Sequence, residues 1–275
     1  MIVPHTPAGS TALRFYVEVA RTAYRRQLIY RWANIAGLCT NAFFAAIGSY
    51  VVVALFRVRA SAGGYHLAET VQYIWLLQAL TMPVLPFGWM DLMLTIRSGD
   101  VVSDLSKPCD FYWYWAGREI GRSLYFLAFR ALPTYVLGMV LFGIGLPSQP
   151  DRWLLFVASA ILAATLGIAY RFLYNIAAFW VVEARAVATM AHQIALFCTG
   201  MIIPVAFFPS WLRAITGWLP FNALMNLPAE FFLGKVPGSQ VAFELSRQAV
   251  WVLALTLIAR RVAAIAARRV VVQGG

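Results

Sequence analysis

Long apolar runs constrain this chain more than any other feature, because six of them are long enough to cross a lipid bilayer. A transmembrane helix needs about 20 predominantly apolar residues. Hydrophobic residues make up 61% of the chain and charged residues only 12%, whereas an ordinary soluble domain carries about 25% charged residues. The sequence therefore predicts an all-α integral membrane protein with a single transmembrane domain over residues 1–275. The predicted spans are 32–56, 71–94, 123–146, 153–182, 186–208 and 241–259.

Positive charges beside these runs predict the orientation of the chain. Cytoplasmic flanks of membrane helices accumulate Lys and Arg. With the N-terminus inside, 14 Lys and Arg residues fall on the cytoplasmic side and six on the outer side. Both termini are therefore predicted to be cytoplasmic. The first run is too long for a signal-peptide core of about 7–15 residues, so we expect it to be kept as a transmembrane helix.

The remaining composition excludes several classes of function. The formal net charge is +11, but the basic residues do not cluster on a polar domain, so we expect no nucleic-acid partner. Cys39, Cys109 and Cys198 lack the spacing of a disulfide framework or a zinc site. We therefore expect no bound metal and no catalytic residues.

The N-terminal stretch 11–28 has the pattern of an amphipathic helix. Arg14, Glu18, Arg21 and Arg25 recur at spacings of four, three and four, and apolar residues fill the other positions. A basic, aromatic helix just before a span is expected to lie along the cytoplasmic leaflet. The alternative is a simple positively charged anchor.

The predicted cytoplasmic stretch 95–122, which we call the coupling segment, alternates basic and acidic residues. Three interpretations remain open from the residues alone: a docking surface for a cytoplasmic partner, a solvated charged loop, and a metal site. The metal hypothesis arises because carboxylates are the usual Mg²⁺ ligands and Asp100, Asp104 and Asp110 lie close together in sequence. Lys107 between them and the lack of a further acidic cluster argue against it.

The outer stretch from Pro204 to Gly238 has five prolines separated by apolar residues. It is too apolar for a loop in water and too interrupted for one crossing helix. We expect a re-entrant segment of short helices at 209–234, which is tolerated where protein covers the free backbone groups. A pair of helices lying flat on the outer leaflet is the alternative.

Several residues interrupt the predicted spans. Pro83 and Pro86 are expected to kink the second span, since each removes a backbone donor. Arg130 and Arg171 place charge at membrane depth, which is costly and usually faces protein or a water-filled cavity. They are candidates for a substrate path, with structural pairing as the alternative. Asn175 is expected to be a satisfied core residue.

Taken in order, the amphipathic helix, the coupling segment and the outer segment resemble the six-helix permeases of ABC-2 type ABC exporters that carry no ATPase of their own. The resemblance covers nearly the whole chain in layout, although its motifs are loose. The matching stretches are Arg97-Ser-Gly-Asp100, Leu105-Ser-Lys-Pro108, Phe208-Pro-Ser-Trp211, Leu219-Pro-Phe221 and Leu227-Pro-Ala-Glu230.

This resemblance implies a permease subunit in a bacterial cytoplasmic membrane, paired with a second permease as a homodimer or heterodimer and moved by separate ABC ATPase subunits. No Gly-x-x-x-x-Gly-Lys-Ser/Thr loop occurs in the sequence, so ATP and Mg²⁺ are expected on the ATPase and no cofactor on this chain. The aromatic content favours a hydrophobic or amphiphilic substrate, as in drug efflux. The implied ATPase contacts are Arg97, Gly99, Asp100, Asp104, Lys107, Arg14, Glu18 and Arg21, and the implied outer gate is Pro209, Trp211, Pro220, Phe221, Pro228 and Glu230.

Two other functions remain as alternatives. A secondary transporter working without ATP would usually show inverted repeats and acidic residues deep in its helices. An integral-membrane enzyme acting on lipids would show clustered Asp, Glu and His residues near one interface. The spans hold no deep acid apart from Asp91 near a helix end, and the three histidines are scattered.

Overall fold

The fold is all-α, as predicted. The computed structural model describes residues 9–269, with side chains from residue 13 onward. The chain is 78% helical, and the described part has no strand beyond an isolated bridge between Ala62 and Tyr65. The α-helices are α1 Gly9–Leu28, α2 Arg31–Phe56, α3 Leu67–Val84, α4 Asp91–Ser98, α5 Val101–Leu105, α6 Phe111–Phe126, α7 Leu132–Phe142, α8 Pro150–Ile176, α9 Ala184–Cys198, α10 Ser210–Trp218, α11 Asn226–Leu233 and α12 Gly238–Ala267.

Four helical stretches in the described chain are long and apolar enough to cross a membrane. They are α2, the combined α6 and α7, α8 with the turn that follows it, and α12. These overlap the predicted first, third, fourth and sixth spans. The 18-residue α3 and the 15-residue α9 lie where the second and fifth spans are predicted. The protein is therefore a multi-pass membrane protein, while six crossings and cytoplasmic termini stay predictions.

The helix of the third predicted span begins at Phe111 rather than at Ser123. Residues 111–122 were predicted to lie outside the membrane because they include several charged residues. In the structure Glu119 and Arg122 are buried and paired with each other at 2.7 Å, so their charges do not keep the backbone in water. A π-helical turn, Leu127–Ala131, joins α6 to α7.

The second and fifth predicted spans end early for local reasons. Helix α3 stops at Val84, between Pro83 and Pro86, because proline lacks the N–H that would continue the helix. Helix α9 stops at Cys198, two residues before Gly200, which has a φ of +82°. Only glycine adopts this left-handed conformation at little cost.

Helix α1 packs along α6, and two glycines make this contact possible. Gly117 and Gly121 are one turn apart on α6, and Gly121 touches the backbone carbonyl of Ala20. Small residues at this spacing let two helix backbones approach closely. Tyr24 also contacts Tyr125, with ring centroids 5.6 Å apart. The predicted amphipathic helix is therefore present and fixed to the helix bundle.

Helix α8 lies at the centre of the described bundle, with contacts to α3, α4, α6, α9, α11 and α12. Leu166 and Ala169 are fully buried on it, and Gly167 contacts the carbonyl of Val84 on α3. One face of α8 thus continues from Gly167 through Arg171 to Asn175, at intervals of four residues. This face positions the site described next.

Candidate functional site

The exposed part of the coupling segment is a tight turn between α4 and α5, residues Arg97–Asp100, which we call the coupling turn. Gly99 ends α4 with a φ of +83°, so this position requires glycine. The Ser98 hydroxyl donates a 2.7 Å hydrogen bond to the Asp100 carboxylate. Arg97, Gly99 and Asp100 are all exposed and could contact a partner.

Asp104 and Lys107, also predicted to contact the ATPase, bond to each other inside the segment. They form an ion pair, and the Lys107 ammonium also donates to the Tyr114 hydroxyl at 2.9 Å. Partial burial lowers the pKa of Lys107, but the hydrogen bonds to Asp104 and Tyr114 raise it more, so the net pKa lies above its usual value. These residues fix the shape of the segment.

The three aspartates of the metal hypothesis have separate partners in the structure. Asp110 accepts the backbone N–H of Trp113 at 3.1 Å, which caps the start of α6. It also pairs with Arg260 of α12 at 3.1 Å. Within residues 13–269, no group of three metal-ligating side chains comes together.

The charged residues of α1 that are predicted to contact the ATPase are exposed. Arg14, Glu18 and Arg21 all face solvent, and Arg21 pairs with Glu18 at 3.2 Å. This helix packs on α6, the helix into which the coupling segment leads. Both predicted contact regions therefore meet at one helix.

Behind the coupling turn lies a buried group of polar side chains, which we call the polar clamp: Glu119, Arg122 and Ser123 of α6, with Arg171 and Asn175 of α8. Glu119 accepts hydrogen bonds from Arg122 at 2.7 Å and from Arg171 at 3.0 and 3.2 Å. Arg122 also stacks on the ring of Trp89. A single carboxylate thus joins two guanidinium groups.

The polar clamp holds both sides of the break between α3 and α4. Ser123 donates to the carbonyl of Pro83 at 2.8 Å, and Arg171 donates to the carbonyl of Val84. Asn175 donates to the Trp89 carbonyl at 3.2 Å and accepts the Met93 N–H at 3.3 Å. The clamp therefore supplies partners for the C-terminus of α3 and the N-terminus of α4, which would otherwise be unsatisfied.

The sequence indicated only part of the polar clamp. Arg171 stood out as a charge in a span, and its pairing with Glu119 corresponds to the structural alternative for that residue. Glu119 was missed because it fell in the stretch that was predicted to be cytoplasmic. Its spacing of three residues from Arg122 on a continuous helix was the available signal.

Arg130, the other candidate for a substrate path, lies on the π-helical turn and is buried. Its guanidinium donates to the Asn41 side chain at 3.1 Å and packs against Gly37 of α2. Its Nε has no hydrogen-bond partner in the described part of the chain. Gly37 has no side chain, and a larger residue at this position would clash with the Arg130 guanidinium.

The predicted outer gate divides into a surface helix and an inserted helix. Pro209 precedes α10, on which Trp211 and Trp218 are exposed, as expected for a helix at a membrane surface. Pro220 lies in the turn after α10. Phe221 packs against Tyr170 of α8, with ring centroids 5.5 Å apart.

The inserted helix, α11, packs against α3 and α8. Pro228 is buried in it and Glu230 is partly buried. Tyr73 of α3 donates to Asn226 at 2.7 Å, and Asn226 donates to Asn222 at 2.7 Å. These bonds attach the outer segment to the bundle, while its re-entrant position in the membrane stays a prediction.

The fold and this site together define a class: a multi-pass helical membrane protein with a rigidly held polar segment at one end and a helical cap at the other. A family model described as ABC-2 family transporter protein matches residues 43–274. The chain belongs to that family, and it is a membrane-embedded permease. The matched region begins inside α2 and includes the coupling turn, the polar clamp and the outer segment. No curated protein and no solved structure matches the chain.

Proposed function

We propose that this chain is the transmembrane subunit of an ATP-driven exporter and that separate ABC ATPase subunits move it through the coupling turn. Family membership supports the permease role. The observation that carries the coupling role is the combination of an exposed turn, Arg97–Asp100, with the buried polar clamp directly behind it. A force applied to the turn would reach α8 through Asn175.

The mechanism follows from this connection. Closure of the ATPase subunits around ATP and Mg²⁺ pushes the coupling turn, and α4 transmits the movement to α8 through Met93 and Trp89. The helix bundle then changes from one arrangement to another. A ligand can drive this change only if it binds the two arrangements with different affinity. Nucleotide binding and hydrolysis on the partner supply that difference.

A second permease, identical or related, completes the path in this proposal. Helix α2 offers a surface for the second permease, because its large side chains Phe43, Phe44 and Tyr50 are exposed in the described chain. We propose a hydrophobic or amphiphilic substrate, with α10 and α11 covering the outer end of the path. A bacterial cytoplasmic membrane with both termini inside fits the distribution of positive charge.

The test is purification of the complex with a charge reversal in the coupling turn. Asp100→Lys is expected to reduce the co-purifying ABC ATPase, identified by mass spectrometry, and the vanadate-sensitive ATPase activity of the preparation. The matched control is Asp151→Lys, which reverses an exposed aspartate at the first turn of α8. An ATPase recovered equally with both variants contradicts docking at this turn. Recovery of the unmodified chain with no ATPase contradicts the proposed function as a whole.

A further inference from the structure

A cavity of about 670 Å³ lies between α1, α6 and the residues before α4. On α6 its wall is a single stripe at four-residue intervals: Tyr114, Arg118, Arg122 and Phe126. Residues one helical turn apart lie above each other on one face, and 12 residues of helix extend about 18 Å. The cavity is therefore elongated along α6 and passes from polar side chains at one end to Phe126 at the other.

The facing wall on α1 mixes polar residues, Glu18, Thr22 and Arg26, with the apolar Phe15, Val19 and Ala23. It ends at Tyr30, where α1 leads into α2. Next to Tyr30, Ile29 and Trp32 are exposed apolar side chains. Exposed apolar residues of this kind at the start of a membrane span are covered by lipid. The apolar end of the cavity thus lies beside a surface that lipid covers.

The charges that line the cavity are only partly paired with one another. Arg122 is held by Glu119 at 2.7 Å, and Glu18 by Arg21 at 3.2 Å. In the described part of the chain, the side chains of Arg26, Arg118 and Asp91 have no ion-pair partner, although Arg118 stacks on Trp115. Two cations and one carboxylate therefore have no direct ion pair, and Arg26, Arg118 and Arg122 all lie near enough to the Asp91 carboxylate to interact with it electrostatically.

This combination matches a particular headgroup. A phosphate accepts hydrogen bonds from guanidinium groups, and charge-assisted bonds of this kind are among the strongest in proteins. An ammonium group needs a carboxylate and is also attracted to aromatic rings such as Trp89. We propose that the cavity binds a phosphatidylethanolamine molecule, with its phosphate at Arg26 and Arg118, its ammonium at Asp91, and its acyl chains along Phe126 and Tyr30.

Phosphatidylglycerol fits less well, because its headgroup carries no cation to place against the Asp91 carboxylate. A segment of a water-soluble partner protein fits less well too, because Tyr30 lies at the start of one apolar helical stretch and Phe126 lies within another. Both occupants are distinguishable from phosphatidylethanolamine by experiment.

The experiment uses the full chain, purified with its co-purifying subunits in micelles that contain equal amounts of phosphatidylethanolamine and phosphatidylglycerol. Bound lipid is measured by native mass spectrometry. The unmodified protein is expected to retain phosphatidylethanolamine preferentially. Arg26→Gln and Asp91→Asn are each expected to reduce that retention about tenfold, the equivalent of one lost charge-assisted hydrogen bond. Arg25→Gln is the matched control, since Arg25 is exposed on α1 outside the cavity, and it is expected to change nothing.

Preferential retention of phosphatidylglycerol, or equal retention by the Arg26→Gln and Arg25→Gln proteins, would overturn the proposal. Arg26 is exposed, so its replacement does not disturb the core and the comparison stays valid for a folded protein. A photoreactive side chain at Thr22 gives an independent readout. Crosslinking to lipid supports the proposal, and the absence of any lipid crosslink refutes it.

Discussion

Replacement of Glu119 with glutamine tests whether charge holds the polar clamp together. Glu119 is 5% exposed and is the shared acceptor for Arg122 and Arg171, which are 6% and 1% exposed. Glutamine keeps the shape of the side chain but leaves two buried guanidinium groups without a counter-charge. Breaking a buried ion pair by removing one partner costs about 3–5 kcal/mol. We expect a loss of this size in the free energy of unfolding.

The assay is equilibrium unfolding in mixed micelles followed by tryptophan fluorescence. The matched control is Glu18→Gln, because Glu18 and Arg21 have the same three-residue spacing but side chains that are 63% and 56% exposed. An exposed pair contributes less than about 1 kcal/mol. If Glu119→Gln costs no more than Glu18→Gln, the polar clamp is not held by charge and the reasoning is wrong.

A double variant sharpens the same prediction. Arg171→Leu removes one of the two guanidinium groups, so adding it to Glu119→Gln leaves less uncompensated charge than Glu119→Gln alone. The cost of the double variant is expected to fall short of the sum of the single costs by about 0.5–3 kcal/mol. Strictly additive costs would show that Glu119 and Arg171 act independently.

Three further outcomes follow from the described contacts. Gly121→Ala is expected to destabilise the protein by displacing α1, whereas Gly217→Ala, a helical glycine with open space around it, is expected to stabilise it by up to about 1 kcal/mol; thermal unfolding of both variants checks this. Asn175→Leu is expected to lower transport per ATP hydrolysed in reconstituted vesicles while the ATPase still co-purifies, and unchanged coupling would contradict the role of the clamp. Burial raises the pKa of Glu69, ahead of the predicted second span, but hydrogen bonds from Lys235 and the His66 backbone lower it more, to a net value below the usual 4.5. The stability from this group is present above that usual pKa and lost as the pH falls through the lower folded value, and Lys235→Met is expected to reduce this pH dependence in unfolding experiments.

The length of the apolar runs was enough to predict the helical fold and the long helices α2, α8 and α12. It failed over 111–122, where Glu119 and Arg122 were placed in a cytoplasmic stretch because the criterion treats every charge as solvated. Two charges that neutralise each other inside a bundle violate that assumption. The partner of Arg171 was equally out of reach, since it is 52 residues away in sequence and only the packing of α6 on α8 brings the two together. The coupling turn was easier to place because Gly99 and its charged neighbours form a local pattern.

Pro83 near the end of α3 and Pro86 just after it link the sequence to the proposed mechanism through backbone carbonyl groups. The Leu85 N–H bonds to the Thr81 carbonyl at 2.8 Å, and Pro86 has no N–H to continue the ladder. The carbonyls of Pro83 and Val84 therefore take their donors from α6 and α8.

Because those donors belong to two other helices, α3 cannot move along its axis without breaking these bonds or taking α6 and α8 with it. On the other side of the break, Asn175 of α8 holds the start of α4 in the same way. A helix break whose backbone groups are satisfied by neighbouring helices is stiff. A stiff connection lets a small displacement of the coupling turn bias the arrangement of the whole bundle, because packed cores switch between discrete states and do not deform continuously.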